Sequence, residues 1–311
     1  MHSAQLLELL KQLHLGDPRH VARAISLVED QAEMADRIMQ GLDQQRLDRA
    51  LTVGITGPPG AGKSTLTSSL VQQLRQRGTR VGVIAVDPSS PLTHGALLGD
   101  RIRMMEHALD RDVVVRSMAT RGRLGGLCAA AGAAMRIMAA SGCRVVLIET
   151  VGIGQSEMDI ASLADITVLV LAPGFGDEIQ AMKAGILEVV DLLVINKADM
   201  PGASKLRFDL GRETAQSDRV LETVAAGNQG IESLLDRILL LETEFRTSNE
   251  FVQRRQRSLK KETVDWGIEL LRERLSVLAD DELLTGLARD PRAAAEQLLS
   301  DVLRKPLTSQ R

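Results

Sequence analysis

A glycine-rich segment that ends in a lysine and two hydroxyl residues has the composition of a phosphate-binding loop. It follows an apolar run at 51–55 and precedes an amphipathic stretch. The pattern consists of Gly57, Gly60, Ala61, Gly62, Lys63, Ser64 and Thr65. In such a loop the backbone N–H groups surround the phosphates, the lysine supplies a positive charge and the serine hydroxyl reaches magnesium. A helix that begins near the lysine directs its positive end at the same anion. The segment therefore predicts a nucleotide-binding protein.

A second motif, Asn196-Lys197-Ala198-Asp199, follows an apolar run at 192–195 and predicts recognition of guanine. The aspartate can accept hydrogen bonds from N1–H and the exocyclic amine of guanine together. The lysine stem can pack on the ring, and the asparagine can brace neighbouring loops. A base that leaves a buried polar group unmatched loses on the order of 10²-fold in affinity. We therefore expect GTP to be preferred to ATP. Further contacts to the base are expected from the loop Val224, Ala225 and Ala226.

Carboxylates at the ends of predicted strands are candidates for the magnesium side of the site. Glu149 ends the apolar run at 145–148, where a phosphoryl-transfer site requires a carboxylate; a structural cap or salt bridge is the alternative role. Asp87 ends an earlier run and could serve the metal or activate water. Asp100 lies beyond a Ser/Pro/Gly segment with the composition of a switch loop, and helix capping is an equal alternative. The predicted metal ligands are Ser64, Asp87, Asp100 and Glu149.

Fewer residues are candidates for the chemical step itself. Gln155 could orient an attacking water, although a solvated loop position suits a glutamine equally well. Three arginines near the third predicted strand could steady phosphates or a partner: Arg116, Arg121 and Arg123. The predicted catalytic residues are Lys63, Asp87, Glu149 and Gln155.

Apolar runs alternate with helical patterns through the middle of the chain. Unbroken runs of this kind indicate strands buried on both faces of a parallel sheet, whose ligands lie at the carboxyl ends of the strands. The runs are 51–55, 80–86, 113–115, 145–148, 166–171 and 192–195. We predict an α/β P-loop NTPase with a mostly parallel sheet covered by helices. The predicted domains are an N-terminal helical extension at 1–50, a GTPase domain at 51–242 and a C-terminal helical arm at 243–311.

Helical patterns occupy both ends of the chain. The apolar positions of the first helix are Leu6, Leu7, Leu10 and Leu13. Asp17-Pro18 starts a second helix and Asp290-Pro291 starts a last one. The basic stretch at 246–261 is interpreted as a solvated helix face, because acidic residues flank it. An apolar stripe follows, at Leu259, Val264, Ile268, Leu271 and Leu275. Its own domain or a second subunit could cover this stripe, and we favour the second subunit.

The composition argues against several function classes. The 311 residues include one Trp, four Phe and no Tyr, whereas base-stacking nucleic-acid platforms need aromatic faces. The net charge of −3 gives no general attraction to nucleic acid or to anionic membranes. The apolar stretch at 124–140 is interrupted by Arg136 and is too weakly apolar to span a bilayer. Cys128 and Cys143 are too far apart for a C-x-x-C site. We expect a cytoplasmic protein that binds neither nucleic acid nor membrane.

Longer strings make the chain resemble the MeaB/ArgK family of P-loop GTPases. Besides the P-loop and the guanine motif, they are VDPSSP at 86–91, GDR at 99–101, RSMATRG at 116–122, ETVGIGQSE at 149–157 and PGFGD at 173–177. The resemblance covers most of 51–231 and, more faintly, the tail that begins at Asp290. The chain departs from the family pattern at His94, Arg123 and Val224.

The resemblance implies a homodimer with a C-terminal dimerisation arm. It implies a GTP-binding and GTP-hydrolysing chaperone that gates adenosylcobalamin loading, protection and reactivation of a cobalamin-dependent acyl-CoA mutase, such as methylmalonyl-CoA mutase. By the same resemblance, GTP, GDP and Mg²⁺ are its ligands, and residues 173–185 form a mobile segment that responds to the mutase. The positions that match the family's functional residues are Lys63, Ser64, Thr65, Asp87, Asp100, Glu149, Asn196, Lys197 and Asp199.

Two other functions remain as alternatives. A metallochaperone GTPase for nickel insertion is disfavoured because such proteins usually carry His-rich tracts or a C-x-x-C pair, and this chain has five scattered histidines. An ATP-dependent kinase of a periplasmic amino-acid-binding protein is disfavoured by the guanine motif.

Overall fold

The computed structural model describes residues 3–30, 32–87, 109–119, 126–150, 162–174, 186–213, 219–280 and 290–304. Within these ranges the strands are β1 (Leu51–Thr56), β2 (Val81–Asp87), β3 (Val113–Ala119), β4 (Val145–Thr150), β5 (Ile166–Leu171), β6 (Leu192–Ile195) and β7 (Val220–Glu222). They form one sheet in the order β3-β2-β4-β1-β5-β6-β7, and every neighbouring pair is parallel. The predicted parallel α/β fold is therefore confirmed, with β3 running to residue 119 rather than 115.

Helices cover both faces of this sheet and occupy both ends of the chain. Those before the sheet are α1 (Ser3–His14), α2 (Pro18–Asp30), α3 (Ala32–Gln40) and α4 (Gln44–Arg49). Those between strands are α5 (Lys63–Gln76), α6 (Gly126–Ala140), α7 (Ile186–Val189) and α8 (Ala203–Glu213). Those after the sheet are α9 (Ile231–Thr247), α10 (Glu250–Asp280) and α11 (Pro291–Arg304). The predicted boundary between residues 242 and 243 thus lies inside α9.

Alternation along the strands sends side chains to two separate aliphatic cores. On one face, Val53 and Ile55 of β1 pack with Leu66 and Leu70 of α5 and with apolar residues of α9. On the other face, Ile84 and Ile148 pack with α1, α2, α3 and α6. The N-terminal helices consequently share a core with the sheet. The strand that leads into the glycine-rich loop, β1, lies between β4 and β5 and is the central strand of the described sheet.

The first helix buries a slightly different face from the one its sequence suggested. Leu9 is 3% exposed, whereas Leu7 is 69% exposed, so the prediction for Leu7 was wrong. Leu6, Leu9 and Leu13 lie three and four residues apart, and this spacing keeps them on one side of the helix. Asp17 caps α2 as predicted, with its carboxylate accepting from the backbone N–H groups of Arg19 and His20.

Two arginines of the basic stretch do not lie on a solvated face. Arg254 and Arg255 are partly buried and form ion pairs with Asp191 and Asp165. The interpretation of this stretch as solvated was wrong for these two residues, whose carboxylate partners lie 63 and 90 residues earlier in the chain. Arg246 is exposed and pairs with Glu242 one turn earlier on the same helix. Arg257 and Lys260 of the same stretch are exposed, as expected. In the part of the chain that the structure describes, every helix is too short or too polar to span a bilayer.

Candidate functional site

The glycine-rich loop joins β1 to α5 and requires its glycines for steric reasons. Gly57, Gly60 and Gly62 have φ values of 139°, 80° and 91°, which side-chain-bearing residues rarely adopt. A Cβ on Gly57 would lie 2.1 Å from the carbonyl oxygen of Val170, and one on Gly62 would lie 2.4 Å from Nδ2 of Asn196. The loop is therefore packed against β5 on one side and against the guanine motif on the other.

Lys63 begins α5 and holds its charge within the loop. Its side chain is buried, and Nζ donates to the carbonyl oxygens of Gly57 at 2.7 Å and Pro58 at 3.0 Å. An ammonium group has three donors, so Nζ can exchange these carbonyl oxygens for phosphate oxygens of a ligand bound in the glycine-rich loop. The N-terminal end of α5 adds a positive dipole at this position.

Ser64 and Glu149 bring two oxygen-bearing side chains together beside the loop. Glu149 is 2% exposed, and the β1–β4 register places it opposite Ile55. The Ser64 hydroxyl donates to Oε1 of Glu149. A hydroxyl and a carboxylate are hard oxygen ligands of the kind that Mg²⁺ takes together with substrate phosphates, so the two residues fit a magnesium site.

Of the other predicted metal and catalytic residues, the structure describes only Asp87, and only by the position of its backbone. Asp87 ends β2, and the pairing of Val86 with Thr150 places residue 87 at the same carboxyl edge as Glu149. Asp100 and Gln155 lie outside the described residues. Among the residues that the structure describes, no three His, Cys, Asp or Glu side chains form a metal-binding group.

Asn196 connects three loops of the site. Its Nδ2 donates to the carbonyl oxygen of Ala61 at 2.9 Å, and its Oδ1 accepts from the backbone N–H of Ala225 at 3.0 Å. The Thr223 hydroxyl donates to the same Oδ1 at 3.2 Å. All four residues are buried. One side chain thus holds the glycine-rich loop and the 224–226 loop in a single arrangement.

Lys197 and Asp199 lie on a tight turn after β6. Lys197 has a φ of 57°, and its Nζ donates to the carbonyl oxygen of Gly60 at 2.8 Å. The Met200 N–H donates to the Lys197 carbonyl at 2.9 Å and closes the turn, which leaves Asp199 exposed. The lysine stem therefore spans from the guanine motif to the glycine-rich loop, beside an accessible carboxylate.

The loop after β7 lies beside α5. Val224 bonds with Gln229, and a 3-10 turn follows at Ala225–Gly227. Ala225, Ala226 and Thr65 line a cavity of about 680 Å³ with the polar face of α5. The structure therefore gathers the P-loop, guanine-motif and 224–226 residues at one edge of the sheet.

Two side chains, those of Thr223 and Arg116, make contacts that the sequence did not predict. Thr223 braces Asn196 and was not predicted to do so; its sequence signal is its place directly after β7 and before the predicted base loop. Arg116 donates to Glu29 of α2 and therefore faces the N-terminal helices, which argues against its suggested role at the phosphates. Arg121 and Arg123 lie outside the described residues.

Comparison with known proteins extends beyond the local motifs. Residues 21–280 match the family described as methylmalonyl Co-A mutase-associated GTPase MeaB. A protein of Pyrococcus abyssi is 42% identical over 313 residues, covering 95% of this chain and 96% of that protein. The GTPase ArgK of Escherichia coli K12 is 35% identical over 286 residues, covering 86% of this chain and 83% of that relative. A crystal structure of a LAO/AO transport system kinase matches with a TM-score of 0.70 at 26% identity, covering 97% and 99% of the two chains. The similarity therefore includes the helical ends as well as the sheet.

Proposed function

This chain belongs to the MeaB family of methylmalonyl-CoA mutase-associated GTPases, and on that premise we propose that it is a GTP-hydrolysing chaperone of a cobalamin-dependent acyl-CoA mutase. GTP binding and hydrolysis gate the loading of adenosylcobalamin and the protection or reactivation of the mutase. Hydrolysis by the chaperone alone is slow, and the partner stimulates it, as in switch GTPases whose catalytic apparatus a partner completes.

The observation that carries the nucleotide assignment is the bridging position of Asn196. Its bonds to Ala61 and Ala225 join the phosphate-side loop to the base-side loop, with Lys197 and Asp199 directly beside them. An exposed aspartate at this point can accept from N1–H and the exocyclic amine of guanine. Adenine has neither an N1–H nor an amine at position 2 to donate to this aspartate. The arrangement therefore supports GTP as the substrate.

On the phosphate side, each described residue has a distinct role. Lys63 places its ammonium on the terminal phosphates, and the backbone N–H groups of the glycine-rich loop orient them. Ser64 and Glu149 hold magnesium, which when bound neutralises charge on the phosphate oxygens. Asp87, at the same strand edge, is the carboxylate that serves the metal or the attacking water.

We further propose a homodimer formed through the C-terminal helices. On α10, Leu259, Val264 and Ile268 are 58%, 55% and 55% exposed. Exposed apolar side chains repeated along a helix are typical of a protein–protein contact. A second copy of the chain would cover them, as the apolar stripe suggested.

A direct test measures GTP hydrolysis by the purified protein with and without methylmalonyl-CoA mutase. We expect slow turnover alone, a complex with the mutase and a rise in turnover in its presence. Light scattering should give twice the chain mass of 33.7 kDa. The absence of both a complex and a rate change, with this and other cobalamin-dependent acyl-CoA mutases, would reject the chaperone role.

One relative bears a kinase name, so the kinase alternative needs its own test. Competition of unlabelled ATP against labelled GTP distinguishes the two functions. We expect GTP to be displaced by GDP and not by ATP at equal concentration. Equal displacement by ATP would favour the kinase.

A further inference from the structure

Three arginines reach from the C-terminal helices to the amino-terminal edge of the sheet, opposite the nucleotide site. We call Arg246, Arg254 and Arg255 the arginine cluster. Arg246 lies in α9, and the other two lie in the first turns of α10. Their guanidinium groups stack on two phenylalanines, with centroid distances of 3.9 and 4.2 Å to Phe251 and 4.2 Å to Phe245. Stacking restricts each side chain, so the cluster is preorganised for bidentate contacts.

Arg255 is connected to the start of the P-loop strand through the carboxylate of Asp165. Its Nε donates to Oδ1 of Asp165 at 2.9 Å, and Asp165 is 3% exposed. The other carboxylate oxygen, Oδ2, accepts from both the backbone N–H and the hydroxyl of Thr52, each at 2.8 Å. Thr52 is the second residue of β1. One buried carboxylate therefore ties α10 to the strand that leads into the glycine-rich loop.

Arg254 makes the same kind of connection one strand further along the sheet. Its two terminal nitrogens donate to both oxygens of Asp191 at 2.8 and 2.7 Å. Oδ2 of Asp191 also accepts from the backbone N–H of Thr167 in β5, at 2.8 Å. On the adjacent strands β1 and β5, an arginine of α10 thus binds an aspartate that also accepts from a backbone N–H of the strand. These two aspartates connect α10 to the start of each strand.

The cluster also converges on the residue that precedes β1. The carbonyl oxygen of Ala50 accepts from Arg255 at 2.7 Å and from Arg246 at 3.3 Å. Ala50 is buried, and its carbonyl is an acceptor with two lone pairs. Both ends of β1 are thus held by side chains from outside the strand, the amino end by the arginine cluster and the loop beyond the carboxyl end by Asn196.

We propose that the arginine cluster couples the position of α10 to nucleotide binding at the opposite end of β1. Separating the partners of a buried ion pair leaves an uncompensated charge, which is costly. For this reason α10 and the amino ends of β1 and β5 move together. A protein contact that moves α10 therefore changes nucleotide affinity, and bound nucleotide restrains α10. This inference rests on the proposed nucleotide function and adds a route for its regulation.

Amide hydrogen exchange of the wild-type protein, with and without saturating GDP, tests the coupling without a mutation. The Thr52 and Thr167 amides, which donate to the two aspartates, should exchange at least about tenfold more slowly with GDP bound. Protection confined to the glycine-rich loop and the guanine motif would overturn the proposal. If the wild-type protein binds no GDP, the proposed nucleotide function itself fails.

Arg255→Lys tests the cluster directly, because lysine keeps the charge and loses the planar bidentate fork. Arg257→Lys, on the same helix and exposed, is the matched control. We expect the GDP dissociation constant to rise about tenfold in the first variant and to stay unchanged in the second. We also expect GDP to raise the unfolding temperature of Arg255→Lys less than that of wild type, because stabilisation by a ligand follows its affinity.

A purely structural role would give a different result. Arg255→Lys would then unfold at a lower temperature but show the wild-type GDP affinity, and that outcome would overturn the coupling. If Arg255→Lys does not fold, Asp165→Asn takes its place, since the amide keeps the shape of the carboxylate. An unchanged GDP affinity in folded Asp165→Asn would equally reject the proposal.

Discussion

The amide of Asn196 donates a hydrogen bond to the carbonyl oxygen of Ala61 at 2.9 Å, across 135 residues of sequence. Ala61 belongs to the glycine-rich loop and Asn196 to the guanine motif, so this bond joins the two halves of the nucleotide site. The same side chain accepts from the Ala225 N–H through Oδ1. The three loops therefore depend on one buried amide for their relative position.

Replacing this amide should weaken nucleotide binding. Asn196→Ala leaves the Ala61 carbonyl and the Ala225 N–H without their partner, and each unmet buried group costs about 1–3 kcal/mol. We expect GTP affinity to fall at least about 30-fold, measured with a fluorescent GTP analogue. Gln12→Ala, which removes an exposed hydrogen bond from its amide to Glu8 on α1, is the control and should bind like wild type. Equal affinities of the two variants would contradict the bracing role.

Asp199→Asn should change the base that is recognised. The asparagine keeps one acceptor for N1–H but presents an N–H₂ group where the exocyclic amine of guanine also donates. Xanthine carries a carbonyl at that position, so the variant should prefer XTP. We expect GTP affinity to fall on the order of 10²-fold, read from competition of GTP and XTP against a labelled nucleotide. Asp209→Asn, an exposed aspartate on α8, should retain GTP preference. Unchanged GTP affinity in Asp199→Asn would reject the assignment of the base.

Lys63→Ala should abolish GTP turnover. The substitution removes the ammonium group that lies within the glycine-rich loop and that we propose to bind the phosphates. Loss of such electrostatic stabilisation costs about 10²–10³-fold in rate. Phosphate release at saturating GTP measures the effect, and circular dichroism checks that the variant folds. Lys205→Ala on α8 provides a control with an exposed lysine. Turnover retained by Lys63→Ala would mean that this loop does not bind the terminal phosphates.

Local patterns in the sequence predicted most of the residues that the structure places at the carboxyl edge of the sheet, where the candidate nucleotide site lies. The strand 166–171 and the strand 192–195 were predicted with the bounds that the structure shows. The bracing role suggested for Asn196 agrees with its observed contacts to Ala61 and Ala225. These features depend on spacing within a few residues, or on the rule that carboxyl ends of parallel strands meet at one edge.

Long-range ion pairs could not be predicted in the same way. Arg254 and Arg255 have the local surroundings of a solvated helix, but Asp191 and Asp165 lie 63 and 90 residues earlier in the chain. Arg116 likewise pairs with Glu29, 87 residues away. No spacing rule connects such partners, because their contact depends on how α10 and α2 pack on the sheet.

The cap of α2 provides a prediction about stability and pH. Asp17→Ala removes the acceptor for two backbone N–H groups and should lower the free energy of unfolding by about 1 kcal/mol near neutral pH. The hydrogen bond with the His20 side chain lowers the pKa of Asp17 below 3.8. A lowered carboxyl pKa contributes stability above the unfolded value, and this contribution is lost as pH falls through the lower folded value.

The measurement is urea unfolding of wild type and Asp17→Ala between about pH 5 and pH 2.5. The difference between the two proteins should shrink toward the acid end. Asp17→Asn keeps the capping oxygen without a titrating group, so its difference from Asp17→Ala should not depend on pH. A wild-type advantage over Asp17→Ala that stays constant through this range would contradict the role of the charge.

Glu149→Gln separates the metal role of this carboxylate from a structural one. The amide keeps an oxygen that can accept from the Ser64 hydroxyl, but it loses the negative charge that attracts Mg²⁺. We expect the Mg²⁺ concentration for half-maximal GTP turnover to rise at least about tenfold, because a neutral amide replaces a charged ligand. Glu222→Gln, at the exposed carboxyl end of β7 in the same sheet, is the control and should keep the wild-type Mg²⁺ dependence. If Glu149→Gln instead lowered thermal stability with an unchanged Mg²⁺ requirement, the carboxylate would be a structural partner of Ser64, and the metal would have to be held by Ser64 with other residues of this edge.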